Sequence, residues 1–457
     1  MTSAVSTSFF SKDRSFYKRL FVLLLTVSLQ NVIAYSVNMA DNMMLGSYGQ
    51  ASLSGAATVN QIFFMVQQLS VGICDTLVIL GAQYWGKKDV KAVRKVSGCA
   101  LKLAFGGGVL IILLCSFLPG QLMSIFTTDA EIAAQGIEYM SIVKYSFLLF
   151  LVTQALIATL RTVETVKIAF IVSCVSLVVN AGINYCLIFG KFGLPELGIR
   201  GAAIGTVIAR CVELLIVIIY LLKVDKKIRL FSENPLVKDP EISRDFTKLA
   251  VNVLVQELFW AVSIPLQSAI LGHLSSDAIA ANSIATTFFQ YLKVVVRAMA
   301  SASTVMVGTA IGRGDMEEVK AEGRTLCVID LLLGLLLGAI LFALHTPLLS
   351  TYDLSSTAYV MADQLLILMA FLMVPMSFQM PVLTGIIRGS GDTKFTLWLN
   401  MIVTWALTVP LSFCSAFWWK LPVVWVVLMS QSDQIFKVPF VLMRFRTYKW
   451  MKKLTRE

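Results

Sequence analysis

The chain has 457 residues, of which 57% are hydrophobic and only 14% are charged, and its mean hydropathy is +0.78. Soluble globular proteins have about a quarter of their residues charged, so this composition excludes that class and indicates a polytopic membrane protein. The formal net charge of +11 could also indicate a nucleic-acid-binding protein, and the positions of the cations decide between the two.

Twelve apolar stretches are long enough to cross a bilayer, which needs about 20 helical residues for a hydrocarbon core of about 30 Å. The first six are 20–45, 53–83, 96–118, 136–160, 168–190 and 201–222. The second six are 249–272, 279–311, 325–345, 359–387, 395–417 and 422–443. We therefore predict an all-α membrane protein with a six-helix lobe at 1–222, a cytoplasmic linker at 223–248, a six-helix lobe at 249–443 and a basic cytoplasmic tail at 444–457.

The second half of the chain repeats the first at a nearly fixed offset. Leu45-Gly46 recurs as Leu271-Gly272, and Gly86-Lys87-Lys88-Asp89 recurs as Gly312-Arg313-Gly314-Asp315, both displaced by 226 residues. Because each half has an even number of helices, both enter the membrane from the same side, so we expect a pseudo-two-fold axis along the membrane normal. Such duplication in an apolar chain is typical of secondary transporters.

The basic residues are distributed unequally between the two sides of the membrane. Of the 38 Lys and Arg residues, 29 lie at the termini or in loops on the same side, and only Lys191, Arg200 and Lys420 lie in loops on the other. This asymmetry predicts a multi-pass protein of the plasma membrane (the inner membrane of a bacterial cell) with both termini cytoplasmic. The basic surplus then faces anionic lipid and not nucleic acid.

Several motifs occur in order along these spans, namely Asp41-Asn42-Met43-Met44-Leu45-Gly46, Ala82-Gln83-Tyr84-Trp85-Gly86-Lys87-Lys88-Asp89, Gly201-Ala202-Ala203-Ile204-Gly205-Thr206 and Arg388-Gly389-Ser390-Gly391-Asp392-Thr393. With the repeat, they resemble the multidrug and toxic compound extrusion (MATE) family along essentially the whole chain. The resemblance implies a twelve-helix antiporter that exports organic, often cationic, amphipathic compounds in exchange for sodium ions or protons. We expect a monomer without a cofactor.

The resemblance also implies an ion-coupling site in the first half. Asp41 matches a first-helix carboxylate that the family uses for cation coupling, and Asn180, Asn184 and Thr206 match the polar residues that accompany it. A sodium ion would bind at these four positions. Asn184 stands where the family often has Asp, and Ser377 stands where the sodium-coupled bacterial branch has a tenth-helix Asp, so the choice between proton and sodium stays open.

Charged residues within the spans of the second half form a second candidate site. Glu257 matches a seventh-helix glutamate of several branches of the family. At about 1.5 Å of rise per residue, Glu257 and Lys293 reach similar depth on adjacent helices, so we predict that they are in contact, with Arg297 one turn away. The repeat places Asn31 and Gln67 at the corresponding positions. A charge at the bilayer centre costs at least about 3 kcal/mol, so a functional role is the default hypothesis, and an ion pair that fixes helix packing is the alternative.

Three other observations complete the prediction. Asp75, deep in the second helix, is a further site candidate, whereas Arg210 and Glu213 are spaced to pair along the sixth helix. Lys293 and Arg297 are unusual for an exporter of cations, and they keep open an alternative function as a lipid-linked precursor flippase of related architecture. The sequence contains no metal-ligand spacing and no nucleophile with a base, so we predict no enzymatic activity and no metal site other than the sodium site.

Overall fold

The computed structural model describes residues 10–234, 237, 239–352 and 354–456, with all their side chains except that of Ser276. Most of these residues are helical and none of them lies in a β-strand, which confirms the predicted all-α fold. The helices of the first half are α1 (Arg14–Tyr48), α2 (Gln50–Gly86), α3 (Val90–Phe117), α4 (Pro119–Ser124), α5 (Ala130–Thr162), α6 (Lys167–Ile188) and α7 (Gly198–Lys223).

The helices of the second half are α8 (Pro240–Gly272), α9 (Ser276–Arg313), α10 (Met316–Leu349), α11 (Ser356–Met380), α12 (Thr393–Met401), α13 (Val409–Phe413), α14 (Val423–Ser430) and α15 (Asp433–Arg446). Three π-helical segments continue α11, α12 and α13, respectively Pro381–Ile387, Ile402–Thr408 and Cys414–Trp418. A single 3₁₀ turn, Leu230–Ser232, lies between α7 and α8 in the described part of the chain.

Eleven helices of the described residues are long and apolar enough to cross a membrane. They correspond to the first eleven predicted spans. The twelfth predicted span, 422–443, is divided between α14 and α15, because the polar residues Gln431 and Ser432 form a turn that interrupts the helix. The chain is therefore a multi-pass membrane protein with the expected order of helices.

The chain divides into two compact units. The N-unit consists of Leu29–Gly81 and Asp89–Ala250. The C-unit consists of the described residues of Met1–Ser28, Ala82–Lys88 and Val251–Glu457. Helices α1 and α2 therefore each contribute residues to both units, and each unit contains one of the two groups of candidate residues.

The repeated Gly-x-x-Asp turns end one long helix and begin the next in both halves. Lys88 and Gly314, which correspond in the repeat, both have left-handed backbone conformations, with φ of 65° and 90°. The carboxylate of Asp89 then accepts a hydrogen bond from the backbone of Ala92, and that of Asp315 accepts two from the first turn of α10. These Asp side chains satisfy backbone amides that have no partner within the helix, so they act as N-caps of α3 and α10.

The residues that follow α15 pack onto the C-unit. Trp450 is fully buried, and its ring stacks on that of Phe445 with 5.5 Å between the centroids. The carboxylate of Asp392, only 1% exposed, accepts hydrogen bonds from Arg444 at 2.6 Å and from Lys452 at 2.5 Å. Two cations of the predicted basic tail therefore neutralise a buried carboxylate.

Candidate functional site

The N-unit contains a cavity between α1, α2, α5, α6 and α7. Asp41 from α1, Asn180 from α6 and Thr206 from α7 line it, so three of the four residues predicted for ion coupling share one space. Aromatic and aliphatic side chains form the rest of its wall, among them Phe63 and Phe147. Such a mixture of apolar wall and a few convergent polar groups is typical of small-molecule sites.

Asn184, the fourth predicted residue, connects Asp41 to α6. Its side-chain amide donates a hydrogen bond to the Asp41 carboxylate at 2.6 Å and approaches the Asn180 side-chain oxygen at 3.3 Å. The Asn184 side-chain oxygen is buried and has no hydrogen-bond partner among the described residues. A β-carbon at Gly205 would collide with that oxygen, so a larger residue at this position would displace the Asn184 side chain.

Arg210 lies in the same cavity, which the sequence did not predict. Its guanidinium donates to both oxygens of Glu213 at 2.9 and 2.8 Å, as the helical spacing predicted, and lies 5.0 Å from the centroid of the Phe150 ring. The charges of Arg210 and Glu213 cancel each other. An ionised Asp41 therefore gives the cavity one excess negative charge. Thr206, four residues before Arg210, also faces the cavity, and this one-turn spacing was the signal in the sequence that could have identified it.

Other polar residues of the cavity were also absent from the predicted site. Their side chains come from α1, α2, α5 and α6, and they are Asn38, Asn60, Tyr139, Ser146 and Ser176. Asn38 precedes Asp41 by three residues and Ser176 precedes Asn180 by four, so helical spacing alone places each on the face of a residue that was identified. Helical spacing does not link the other three residues, Asn60, Tyr139 and Ser146, to a predicted residue of the cavity. Only the packing of the helices reveals them.

In the C-unit, the structure corrects the predicted partner of Glu257. Its carboxylate accepts a hydrogen bond from Arg388 at 2.6 Å, and both side chains are buried. Lys293 instead lies over the ring of Trp260, with 5.5 Å between its ammonium nitrogen and the ring centroid. The prediction was wrong because helical rise fixes depth but not direction around the helix axis, and because Arg388 was assigned to a loop.

Arg297 lies beside Lys293 on the same aromatic ring. Its guanidinium carbon is 5.3 Å from the centroid of the Trp260 ring, so the predicted proximity of the two cations holds. Both side chains are half-buried. No carboxylate of the described residues lies within ion-pair distance of either cation.

The remaining predicted site residues lie in the N-unit but outside the cavity. Asn31, Gln67 and Asp75 are all half-buried, and none of them lines the space around Asp41. Within the part of the chain that the structure describes, no hydrogen bond joins Asn31 to Gln67. The polar contact that the repeat predicted between α1 and α2 therefore does not form.

Known proteins that resemble this chain match it along most of its length. The sequence model of the family described as MatE matches residues 27–186 and 249–414. A probable multidrug resistance protein, NorM of Thermotoga maritima, is 25% identical over 96% of this chain and 95% of its own length. The probable multidrug resistance protein YoeA of Bacillus subtilis is 23% identical over 90% of each chain.

Solved structures show the same fold. A variant of the Vibrio cholerae MATE transporter VcmN superposes with a TM-score of 0.87 at 17% identity, covering 96% of this chain and 98% of that one. A MOP superfamily transporter from Pyrococcus furiosus, whose binding pocket is described as having reverse polarity, gives a TM-score of 0.84 at 17% identity, covering 98% and 99%.

Proposed function

Because the chain belongs to the MATE family, whose members are multidrug efflux transporters and not enzymes, we propose that it is a secondary antiporter. It exports organic, amphipathic compounds in exchange for protons or sodium ions. Transport proceeds by alternating access, as expected for a chain with parallel repeats. The observation that carries this proposal is the position of Asp41 in the N-unit cavity, next to Asn184.

The chemistry of the cavity supports exchange of one cation for another. Asp41 supplies the excess negative charge, and a charge within the membrane must be neutralised. A proton, a sodium ion or a cationic group of a substrate can each do so, but they compete for the same carboxylate. Binding of the coupling ion therefore favours substrate release, which is the thermodynamic requirement for antiport.

The two coupling ions make different demands on the site. A sodium ion needs several oxygen ligands, and the carboxylate of Asp41 with the side-chain oxygens of Asn180, Asn184 and Thr206 could supply them. The unpartnered oxygen of Asn184 is the strongest indication of such a ligand. A proton needs only Asp41, because the protonated acid keeps an oxygen that accepts the hydrogen bond from Asn184 and gains an O–H group that can donate another.

The setting of the protein follows from the positive-inside rule. We place both termini in the cytoplasm and the chain in the plasma membrane, since most basic residues lie on the side of the termini. A single chain carries the whole site, so a monomer suffices. The basic surface then contacts anionic lipid, and we propose no nucleic-acid partner.

Transport by the purified protein in lipid vesicles tests the proposal. Vesicles loaded with a fluorescent organic cation are exposed to a sodium gradient without a pH gradient, and separately to a pH gradient without sodium. We expect one of the two gradients to drive movement of the dye against its concentration, and the effective gradient identifies the coupling ion. If the dye moves only down its own concentration gradient, whichever ion gradient is imposed, the result would contradict antiport.

A further inference from the structure

The two halves of the chain carry opposite charge at their buried sites. Asp41 gives the N-unit cavity one excess negative charge, and its counterpart in the repeat is Gln267. The C-unit instead carries the cations Lys293 and Arg297 on α9, and their counterparts in the first half are the uncharged Gln67 and Val71. The second half therefore has two cations at positions where the first half has none.

Lys293 and Arg297 are held together at an energetic cost. They are four residues apart on α9, so their side chains lie on the same face, where like charges repel. Both contact the single ring of Trp260 on α8, at 5.5 and 5.3 Å. This ring attracts each cation weakly through its electron-rich face but does not neutralise either charge.

The nearby carboxylates already have other partners. Glu257, one turn from Trp260 on α8, forms an ion pair with Arg388 at 2.6 Å. Asp433, whose charge also acts on Lys293, accepts hydrogen bonds from Lys437 at 2.8 Å and from the neighbouring Gln434 at 3.0 Å. No described carboxylate is therefore available to neutralise Lys293 or Arg297.

We infer that Lys293, Arg297 and Trp260 form a binding site for the anionic group of an amphipathic aromatic compound. A sulfonate, carboxylate or phosphate placed between the two cations can accept a hydrogen bond from each of them and offsets part of their mutual repulsion. The indole ring of Trp260 offers an apolar surface for the rest of the ligand. This inference rests on the proposed export function and extends its substrates to compounds that carry an anionic group.

Binding to the full chain in lipid nanodiscs tests the inference without requiring transport. Two probes share one ring system and differ in charge: naphthalene sulfonate and naphthyl trimethylammonium. We expect the wild-type protein to bind the sulfonate, and the ammonium compound reports separately on binding of cations at Asp41. A wild-type protein that does not bind the sulfonate would overturn the inference.

Two single substitutions locate the site, and two others serve as controls. Lys293→Gln and Arg297→Gln should each weaken sulfonate binding by about tenfold or more and leave ammonium binding unchanged or tighter. Lys144→Gln is the matched control, because Lys144 also lies over an aromatic ring, that of Tyr145 at 5.3 Å, but in the N-unit. Lys293→Arg keeps the charge and should keep sulfonate binding. Sulfonate binding that survives both Gln substitutions would contradict the assignment.

The source of the anion is distinguished by the lipid composition. Nanodiscs of phosphatidylcholine are compared with nanodiscs that also contain phosphatidylglycerol. Loss of sulfonate binding in the second set identifies a lipid headgroup as an occupant, and equal binding identifies a soluble anion. Both results leave an anion site at Lys293 and Arg297.

Transport of the same two probes separates this inference from the proposed function. If the sulfonate binds but neither probe is moved by an ion gradient, the antiport proposal fails and the anion site stands. If the ammonium compound is exported and the sulfonate does not bind, antiport stands and the anion site fails.

Discussion

The buried ion pair between Glu257 and Arg388 should make the C-unit sensitive to the loss of either partner. Glu257 is 8% exposed and Arg388 is 5% exposed, and their closest nitrogen and oxygen atoms are 2.6 Å apart. Glu257→Gln preserves the shape of the side chain and removes its charge, so the buried Arg388 guanidinium loses its ion pair with Glu257. Breaking a buried pair in this way typically costs about 3–5 kcal/mol.

An exposed pair of similar geometry provides the control. Glu317 and Lys320 are 2.7 Å apart at closest approach, but the Glu317 side chain is 66% exposed. Glu317→Gln should therefore lower the free energy of unfolding by at most about 1 kcal/mol. Equilibrium unfolding of the purified protein in detergent micelles measures both variants, and the double variant Glu257→Gln, Arg388→Gln should recover much of the loss. If Glu257→Gln costs no more than Glu317→Gln, the burial of the Arg388 charge does not carry the expected cost.

Two further predictions concern residues outside the candidate sites. Trp450→Ala should lower the free energy of unfolding by about 3–5 kcal/mol, because it empties a buried position against Phe445. An unchanged free energy of unfolding would mean that the segment after α15 is not packed in solution. The pKa of Asp239 is lowered from 3.8 because its carboxylate accepts hydrogen bonds from the backbone of Ile242 and from Lys95. The stabilising effect of the Asp239 carboxylate is therefore complete above pH 3.8 and is lost as the pH falls through the lowered pKa. Asp239→Ala should reduce the thermal midpoint of unfolding at pH 7, and in acid the midpoints of the variant and the wild type should converge. A difference that stays constant with pH would contradict this role.

The helices could be predicted because bilayer spans have a strong and local signal. Long apolar runs identified the first eleven spans, and the turns that contain Asp89 and Asp315 identified the repeat. The break between α14 and α15 was missed because a span was defined by average hydropathy, which the polar residues Gln431 and Ser432 lower only slightly. A local turn in an apolar stretch needs backbone geometry to be recognised.

The candidate sites could be predicted only where the family resemblance or helical spacing fixed them. Asp41 and Asn184 lie on different helices, and their contact followed from the resemblance to MATE transporters. The partner of Glu257 did not follow from depth along the helix, because Arg388 reaches it from the end of a π-helical segment. Arg210 was predicted correctly as the partner of Glu213, but its place in the cavity depends on how five helices pack.

The central claim is that Asp41 couples ion movement to substrate export. Asp41→Asn removes the charge and keeps the shape, and Asp129→Asn is the control, because Asp129 is the exposed N-cap of α5 and Asn is an equally good cap.

Gradient-driven transport in lipid vesicles, with the driving ion identified for the wild-type protein, is the most direct measurement. We expect Asp41→Asn to fold and to lose transport against a substrate gradient, while Asp129→Asn transports as the wild type does. Transport by Asp41→Asn at the wild-type rate and with the same dependence on the ion gradient would contradict the account.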